Sequence, residues 1–236
     1  MGRMDTLSLA SILSLLGLGL LLGLEHALDA DHVVAVSTLV SQTKSIKKSS
    51  LFGIFWGLGH TTTLFVVGLL ILVFKLAIPP RLALSFEFLV GIMLVALGLD
   101  VLRKVWRDRS HIHTHQHEDG VTHTHLHSHA DDGGHHHQHR SFLVGLVHGL
   151  AGSSALMLLV LTTVDSVWLG VIFILVFGAG TIVGMLITST LIALPFKWMS
   201  NFAGIDRILR LAAGVISVGL GIVIMIRIGF INGLFL

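Results

Sequence analysis

The sequence has no cysteine, and only 12% of its 236 residues are charged. Without cysteine, disulfides and thiolate ligands are excluded, so a metal site must use histidine, carboxylate, amide, hydroxyl or backbone ligands. Soluble domains carry about 25% charged residues. Half that share, together with 53% hydrophobic residues, indicates an all-α integral membrane protein. The formal net charge of +2 is too small to favour a nucleic-acid partner.

Six apolar stretches are long enough to cross a membrane, which takes about 20 mostly apolar residues in a helix. The first is too long for a simple span, and it predicts a tilt, a break or an end that projects into a cavity. The six stretches cover about residues 7–40, 51–74, 82–105, 142–163, 167–194 and 205–228.

The segment 111–139 has a different composition, since it contains twelve of the sixteen histidines and almost no large apolar residues. Such a segment cannot form a core, so it predicts a disordered loop. It divides the chain into a first three-helix unit (1–106), a histidine-rich loop (107–140) and a second three-helix unit (141–236). The loop is interpreted as a weak, multivalent metal binder, and the alternative is a solvated linker.

Basic residues predict the orientation, because cytoplasmic loops carry an excess of lysine and arginine. Eleven basic residues lie in or beside the first, third and fifth connections, against four on the opposite side. Both termini are therefore expected outside the cell membrane, with the histidine-rich loop in the cytoplasm.

The two halves of the chain resemble one another in three glycine-containing segments. Each half has three spans, an odd number, so the halves are predicted to be inverted repeats, as in many secondary transporters. The chemistry differs between them: Ala151, Ser153 and Ser154 stand where the first half has Asp29, Asp31 and His32. The matching segments are 23–28 with 145–150, 56–61 with 177–182, and 90–98 with 213–221.

The stretch from Glu25 to His32 places two histidines and three carboxylates inside an otherwise apolar segment. Each charged side chain costs roughly 2.5–3.5 kcal/mol at the centre of a membrane helix on insertion scales. A divalent transition metal satisfies neutral imidazoles and carboxylates together. The stretch therefore predicts a membrane metal site, and the alternative is a structural polar cluster that links helices.

The position of Asp31 raises a geometric question. On a straight helix, His26, Asp29 and His32 lie within an arc of about 120°. Asp31 points away from His26 on the same geometry. Either Asp31 orients a ligand histidine, or the helix unwinds here, which is tolerated at membrane depth where the backbone lines a cavity.

Two further histidines lie inside predicted spans. An intramembrane histidine such as His60 is a functional candidate by default, and the alternative is a core histidine bonded to a threonine. His148 is the counterpart of His26 in the second half. The candidate metal ligands are therefore His26, Asp29, Asp31, His32, His60 and His148.

The segment His26-Ala27-Leu28-Asp29-Ala30-Asp31-His32 resembles the signature of the nickel/cobalt transporter family, which is histidine, four residues, then Asp-His. Gly59-His60-Thr61 resembles the Gly-His-Ser/Thr motif of that family's next helix. The resemblance implies that His26, Asp31 and His32 are essential for transport, with His60 in the same pathway. Residues 145–154 are similar to the shorter urease-accessory nickel permease branch, which implies six spans, nickel import and cytoplasmic nickel chaperones as candidate partners.

The leading hypothesis is a transporter of Ni(II), with Co(II) as a second candidate substrate, that works in uptake and has no cofactor besides the transported ion. Ligand histidines must be neutral and ligand aspartates ionised, so flux should fall in acid. Efflux is the alternative direction, since histidine-rich cytoplasmic loops also occur in nickel and cobalt efflux proteins. A hypothesis of another class is a membrane metal donor or assembly factor for a nickel enzyme. An enzyme is not expected, because the sequence has no HExxH zinc-protease motif.

Overall fold

The chain folds as an all-α membrane protein with two short strands between its halves. A computed structural model describes residues 8–76, 78–107, 113–116, 122–125, 134–151 and 166–236, with the backbone alone at 113–116, 122–125, 134–138 and 203. The helices are α1 (Leu9–His26), α2 (Ala30–Val40), α3 (Ile46–Phe74), α4 (Pro80–Arg107), α5 (Gly134–His148), α6 (Val167–Met199) and α7 (Ala203–Ile226), followed by a π-helical turn (Arg227–Ile231).

Among the described residues, five helical stretches are long and apolar enough to cross a membrane. They are α1, α3, α4, α6 and the stretch Gly204–Ile231. The fourth predicted span, about residues 142–163, coincides with the second part of α5. The rest of this predicted span, residues 152–163, lies outside the described part of the chain.

The first predicted span is broken between His26 and Ala30, where α1 ends and α2 begins. The N–H groups of Leu28 and Asp29 bond the carbonyls of Glu25 and His26 at 2.8 and 3.1 Å, which tightens the last turn of α1. Asp31 then accepts a hydrogen bond from the backbone N–H of His32 at 2.9 Å. A carboxylate in the first turn of a helix is favourable for its free N–H groups and its dipole, so the Asp-rich sequence starts a new helix here.

Three helices have boundaries that differ from the predicted ones. α3 begins at Ile46, five residues before the predicted start, because the Ser45 hydroxyl caps it by accepting the Lys48 N–H at 3.3 Å. α5 begins at Gly134 and not near Phe142. α6 continues past Pro195 to Met199. Polar caps and helix ends at the membrane surface extend beyond the apolar residues that defined the predictions.

Glycines bring α1 against α6 at the distance of backbone contact. A Cβ added at Gly23 would overlap the carbonyl oxygen of Phe177, and one at Gly180 would overlap that of Leu20. Farther along, a Cβ at Gly184 would come within 2.6 Å of the Ala27 Cβ. Both helices advance in the same order through these contacts, so they run parallel.

α3 and α5 pack in the same way. A Cβ at Gly145 would overlap the carbonyl oxygen of Trp56, and one at Gly59 would overlap that of Phe142. A Cβ at Gly149 would approach the carbonyl oxygen of His60 to 2.6 Å. These helices also run parallel, and their close approach is of the type that small residues permit in membranes.

α4 and α7 form a second close pair, which is antiparallel. A Cβ at Gly98 would lie 2.6 Å from the carbonyl oxygen of Gly214, and one at Gly91 would lie 3.0 Å from that of Gly221. The buried hydroxyl of Ser217 donates to the carbonyl oxygen of Leu94 at 2.8 Å across this interface. The pair packs against α2, which also contacts α3 and α6.

The histidine-rich segment contains two four-residue strands, β1 (His113–Gln116) and β2 (Thr122–His125), which pair antiparallel. Residues 108–112, 117–121 and 126–133 lie outside the described part of the chain, so the predicted disordered loop stays a prediction. Where the segment meets the helices, Asp100 Oδ2 accepts hydrogen bonds from Arg140 at 2.9 Å and Lys104 at 3.1 Å. Lys104 also donates to Gln42. This polar cluster links α5, at Arg140, to α4 and to the residues that follow α2.

Candidate metal centre

Four helices bring four histidines together in the protein interior. His26 is the last residue of α1, His32 lies in the first turn of α2, His60 is in the middle of α3, and His148 is the last residue of α5. His32, His60 and His148 are at most 1% exposed. Their rings are in contact: the centroid distances are 4.5 Å for His26–His32, 5.0 Å for His26–His60 and 3.9 Å for the stacked pair His32–His148.

Three of these histidines form the first candidate ligand group. His26, His32 and His60 each offer a ring nitrogen, and the three atoms lie within 4.8 Å of one another. Among the described residues, Nε2 of His26, Nε2 of His32 and both ring nitrogens of His60 are buried without a hydrogen-bond partner. Buried polar atoms normally have hydrogen-bond partners. The group therefore lacks a partner that accepts several nitrogen lone pairs at once, and a cation is such a partner.

Two aspartates hold the rings of this group. Asp29 Oδ2 lies 2.9 Å from His26 Nδ1, and Asp31 Oδ1 lies 3.2 Å from His32 Nδ1. A carboxylate can only accept here, so each Nδ1 carries the proton and each Nε2 keeps its lone pair directed into the cluster. This carboxylate–histidine arrangement is typical of metal sites, where it fixes the tautomer and raises the basicity of the ligand.

Asp31, His32 and His148 form a second candidate ligand group, also within 4.8 Å. Asp31 Oδ2 accepts a hydrogen bond from His148 Nε2 at 3.0 Å, while its other oxygen contacts His32. His148 Nδ1 is buried and has no hydrogen-bond partner in the part of the chain that the structure describes. The two groups share His32, and the Asp31 carboxylate stands between His32 and His148.

Two aromatic side chains enclose the histidines, and both were missed from the sequence. Trp56 is fully buried, with its ring 6.2 Å from His32 and 5.6 Å from His148. Phe177 is buried with its ring 5.7 Å from His26. The available signal was their place in the repeat, since they begin the two matching segments Trp56-Gly57 and Phe177-Gly178.

The structure brings five of the six predicted ligands into the two groups. Asp29, the sixth, lies at the rim with its side chain 54% exposed and contacts His26 from there. Both alternatives that were open for Asp31 apply. The helix is broken before Asp31, and the oxygens of Asp31 contact two histidines. Glu25, which shares the stretch, is exposed. Ser153 and Ser154 lie outside the described residues.

The ligand types decide which ions fit the centre. Imidazole nitrogen with a limited number of carboxylate oxygens suits Ni, Co, Zn and Cu, whereas Mg and Ca prefer oxygen ligands. No thiolate contributes, since the chain has no cysteine. The arrangement is therefore suited to a divalent transition metal with borderline ligand preference.

Comparisons with known proteins identify one transmembrane family and one urease accessory protein as similar to this chain. The family described as "cytochrome C biogenesis protein transmembrane region" matches residues 33–223. The chain is 41% identical over 226 residues to "Urease accessory protein UreH" of Bacillus sp. (strain TB-90), which covers 95% of this chain and 96% of that protein. No solved structure matches the chain significantly.

Proposed function

The chain belongs to the nickel/cobalt transporter family, in the urease-accessory branch that includes UreH, and from this membership we propose that it carries Ni(II) across the cell membrane. It also belongs to the family of the cytochrome c biogenesis protein transmembrane region. Uptake is the proposed direction, and Co(II) is the second proposed substrate. Thiol–disulfide chemistry is excluded for this chain because it has no cysteine.

The observation that carries the proposal is the convergence of His26, His32 and His60. Their ring nitrogens lie within 4.8 Å, and two of the rings are held by carboxylates that leave Nε2 free. A structural polar cluster would pair these nitrogens with one another or with hydroxyls. Here they have no hydrogen-bond partner among the described residues, which favours a cation as the missing partner.

The depth of the centre favours transport over surface binding. His60 is the fifteenth of the 29 residues of α3, so about 21 Å of helix separates it from either end at 1.5 Å per residue. A site at this depth is close to the midplane of a bilayer whose hydrocarbon core is about 30 Å thick. Secondary transporters hold their substrates at this level.

The proposed architecture has six spans in two inverted three-helix repeats. The glycine contacts support it, because they occur in matching pairs: Gly23 meets Phe177 as Gly145 meets Trp56, and Gly98 meets Gly214 as Gly91 meets Gly221. These are the positions that the sequence repeat aligns. α3 is antiparallel to α6 and parallel to α5, which is the direction that the proposed fourth span, beginning in α5, needs in this arrangement.

The proposed orientation places both termini outside and the histidine-rich segment in the cytoplasm, on the excess of basic residues alone. In this orientation α1 leads from the outside to the centre, and α2 leads from the centre to the cytoplasm. The break between the two helices then lies at the ligand positions. Unwound backbone with exposed carboxylates at membrane depth is expected to line a water-filled cavity.

We expect purified protein in liposomes to carry Ni(II) inward, and His26→Ala to lower this flux by at least about tenfold, since one of three ligands is lost. Internal nickel is measured after external Ni(II) is added, and Co(II) is measured in parallel. Leu21→Ala, at an exposed position on the same helix as His26, is the matched control. Flux that is the same for wild type, His26→Ala and empty liposomes would contradict the proposal.

The direction is measured in cells. Cells that express the protein should accumulate more nickel than cells that express His26→Ala. Lower accumulation in the cells with the wild-type protein would instead assign the chain to efflux.

The second candidate function is a metal donor that works through the histidine-rich segment. One observation favours it: the segment continues directly into α5, whose last residue is His148 in the metal centre. Replacing residues 111–133 with a Gly/Ser linker separates the two functions and leaves α5 intact. A transporter should keep at least half of its Ni(II) flux in liposomes after this replacement. A donor would show no flux with either chain and would lose urease activation in cells when the segment is replaced.

A further inference from the structure

The five ligand side chains at the centre form two groups and not a single one. His26, His32 and His60 make the first group, which we call station one, and Asp31, His32 and His148 make the second, station two. The rings of His60 and His148 are 6.1 Å apart, whereas each lies closer to His32, at 5.4 and 3.9 Å. His32 is therefore the side chain that the two stations share.

We propose that the transported ion occupies the two stations in turn, and that it moves between them by exchanging His26 and His60 for His148 and Asp31 while His32 stays bound. This inference rests on the proposed transport of nickel. The two stations exclude each other, because they share the His32 side chain and two divalent charges a few ångströms apart repel strongly. One ion per chain therefore occupies the centre at any time.

The two stations differ in charge. Station one offers three neutral imidazoles, so a bound divalent ion keeps its full charge there. Station two replaces one imidazole with the Asp31 carboxylate, which neutralises part of that charge. Asp31 is also the more accessible group, with 30% of its side chain exposed against 2% for His148. Station two thus contains the most exposed ligand side chain of the two groups, since His26 of station one is 11% exposed.

The exchange crosses the boundary between the two halves of the chain. His26 and His60 belong to the first half and His148 to the second, while His32 and Asp31 follow directly after the break between α1 and α2. His32 already has contacts to both sides, since its ring meets His26 at its edge and stacks on His148. Its two ring nitrogens also differ in surroundings, since Nδ1 faces Asp31 of station two and Nε2 is buried without a hydrogen-bond partner among the described residues.

The test compares two substitutions that each leave one station complete. In His148→Gln the ligands of station one remain, and in His60→Gln those of station two remain. Ni(II) alone is the probe, with equilibrium binding to the detergent-solubilised full chain, X-ray absorption of the bound ion, and flux in liposomes. Leu143→Ala, an exposed position on the same helix as His148, is the control and should match the wild type throughout.

With Ni(II) supplied at one equivalent per chain, so that the buried centre fills before the weak histidine-rich segment, we expect both variants to bind the ion at the centre with different ligand sets. His148→Gln should show three imidazoles, and His60→Gln should show two imidazoles with a carboxylate oxygen. Both should lose at least about tenfold in flux, because the ion can reach only one station. Loss of all binding in either variant would indicate a single composite site, and wild-type flux in His148→Gln would remove station two from the pathway. Either result overturns the proposal.

The wild type provides a measurement that does not depend on a variant that folds. Its bound Ni(II) should show two or three imidazoles, with at most one carboxylate oxygen. Four imidazoles around one ion in the wild type would contradict two stations. Failure of the wild type to bind or carry any nickel would instead refute the proposed function itself.

Discussion

Replacing His32 with alanine should abolish both the binding and the flux of nickel, with the largest effect of any substitution at the centre. His32 belongs to both ligand groups, so no complete group remains. In the wild type, Ni(II) at 100 times its Kd should stabilise the fold by about 2.7 kcal/mol. The variant should show none of this stabilisation. The measurement is the thermal unfolding of the solubilised protein with and without Ni(II), together with flux in liposomes.

The same experiment separates a ligand from a structural histidine. His32 Nε2 is buried without a hydrogen-bond partner among the described residues. In the metal-free protein, removal of the side chain therefore loses packing contacts but no hydrogen bond at Nε2. Because the variant also loses the Nδ1 contact with Asp31 and the stacking on His148, its metal-free Tm should fall as well, and the decisive quantity is the nickel-induced shift, which should be absent. A large fall in the metal-free Tm, with a nickel-induced shift equal to that of the wild type, would identify His32 as a structural residue. Leu143→Ala, at an exposed position of α5, is the control.

Gly145→Ala should strongly destabilise the fold and also disrupt the centre. The new Cβ would overlap the carbonyl oxygen of Trp56 and lie 3.0 Å from the backbone nitrogen of His60. Backbone atoms of a packed helix have little room to move, and overpacking of this kind typically costs about 1–3 kcal/mol. α3 and α5 must separate, which moves His60 away from His148. We expect a lower Tm, weaker Ni(II) binding and loss of flux.

Gly219→Ala is the matched control for this prediction. Gly219 lies within α7, and a Cβ there would meet nothing within 4 Å. Alanine is more favourable than glycine inside a helix by about 0.8–1.0 kcal/mol, so this variant should have an unchanged or higher Tm and wild-type flux. If Gly145→Ala behaves like Gly219→Ala, the close contact between α3 and α5 is not needed for the fold.

The metal centre could be predicted from the sequence because its ligands are costly in a membrane. His26, Asp31 and His32 stand out in an apolar stretch. The length of the first span predicted a tilt, a break or a projecting end, and the structure shows a break between α1 and α2. The family prediction is confirmed by the identity to UreH. The six spans and the inverted repeats remain proposals, since residues 152–165 lie outside the described part of the chain.

The partners of each ligand could not be predicted, because they depend on how the helices pack. Helical geometry gives the direction of Asp31 from α2, but not that His148 of another helix lies 3.0 Å from it. Trp56 and Phe177 are apolar residues in apolar helices, so composition does not distinguish them from the lipid-facing positions around them. Asp29 looked equivalent to Asp31, and only the break places it at the rim beside His26.

The helix α2 contacts two groups of helices, and these groups would move differently in a rigid-body movement of one half against the other. It touches α3 and α6, which pack together with α1 and α5, and it also touches α4 and α7, which are locked to each other by glycine contacts. Because α2 is joined to α1 through the short break at residues 27–29, it can rotate as a rigid helix about a hinge at the metal centre. If the α4–α7 pair slides, it would turn α2. His32 and Asp31 would then move with α2 relative to His26 of α1. The mechanical movement of the protein and the exchange of ligands around the ion would then be one event.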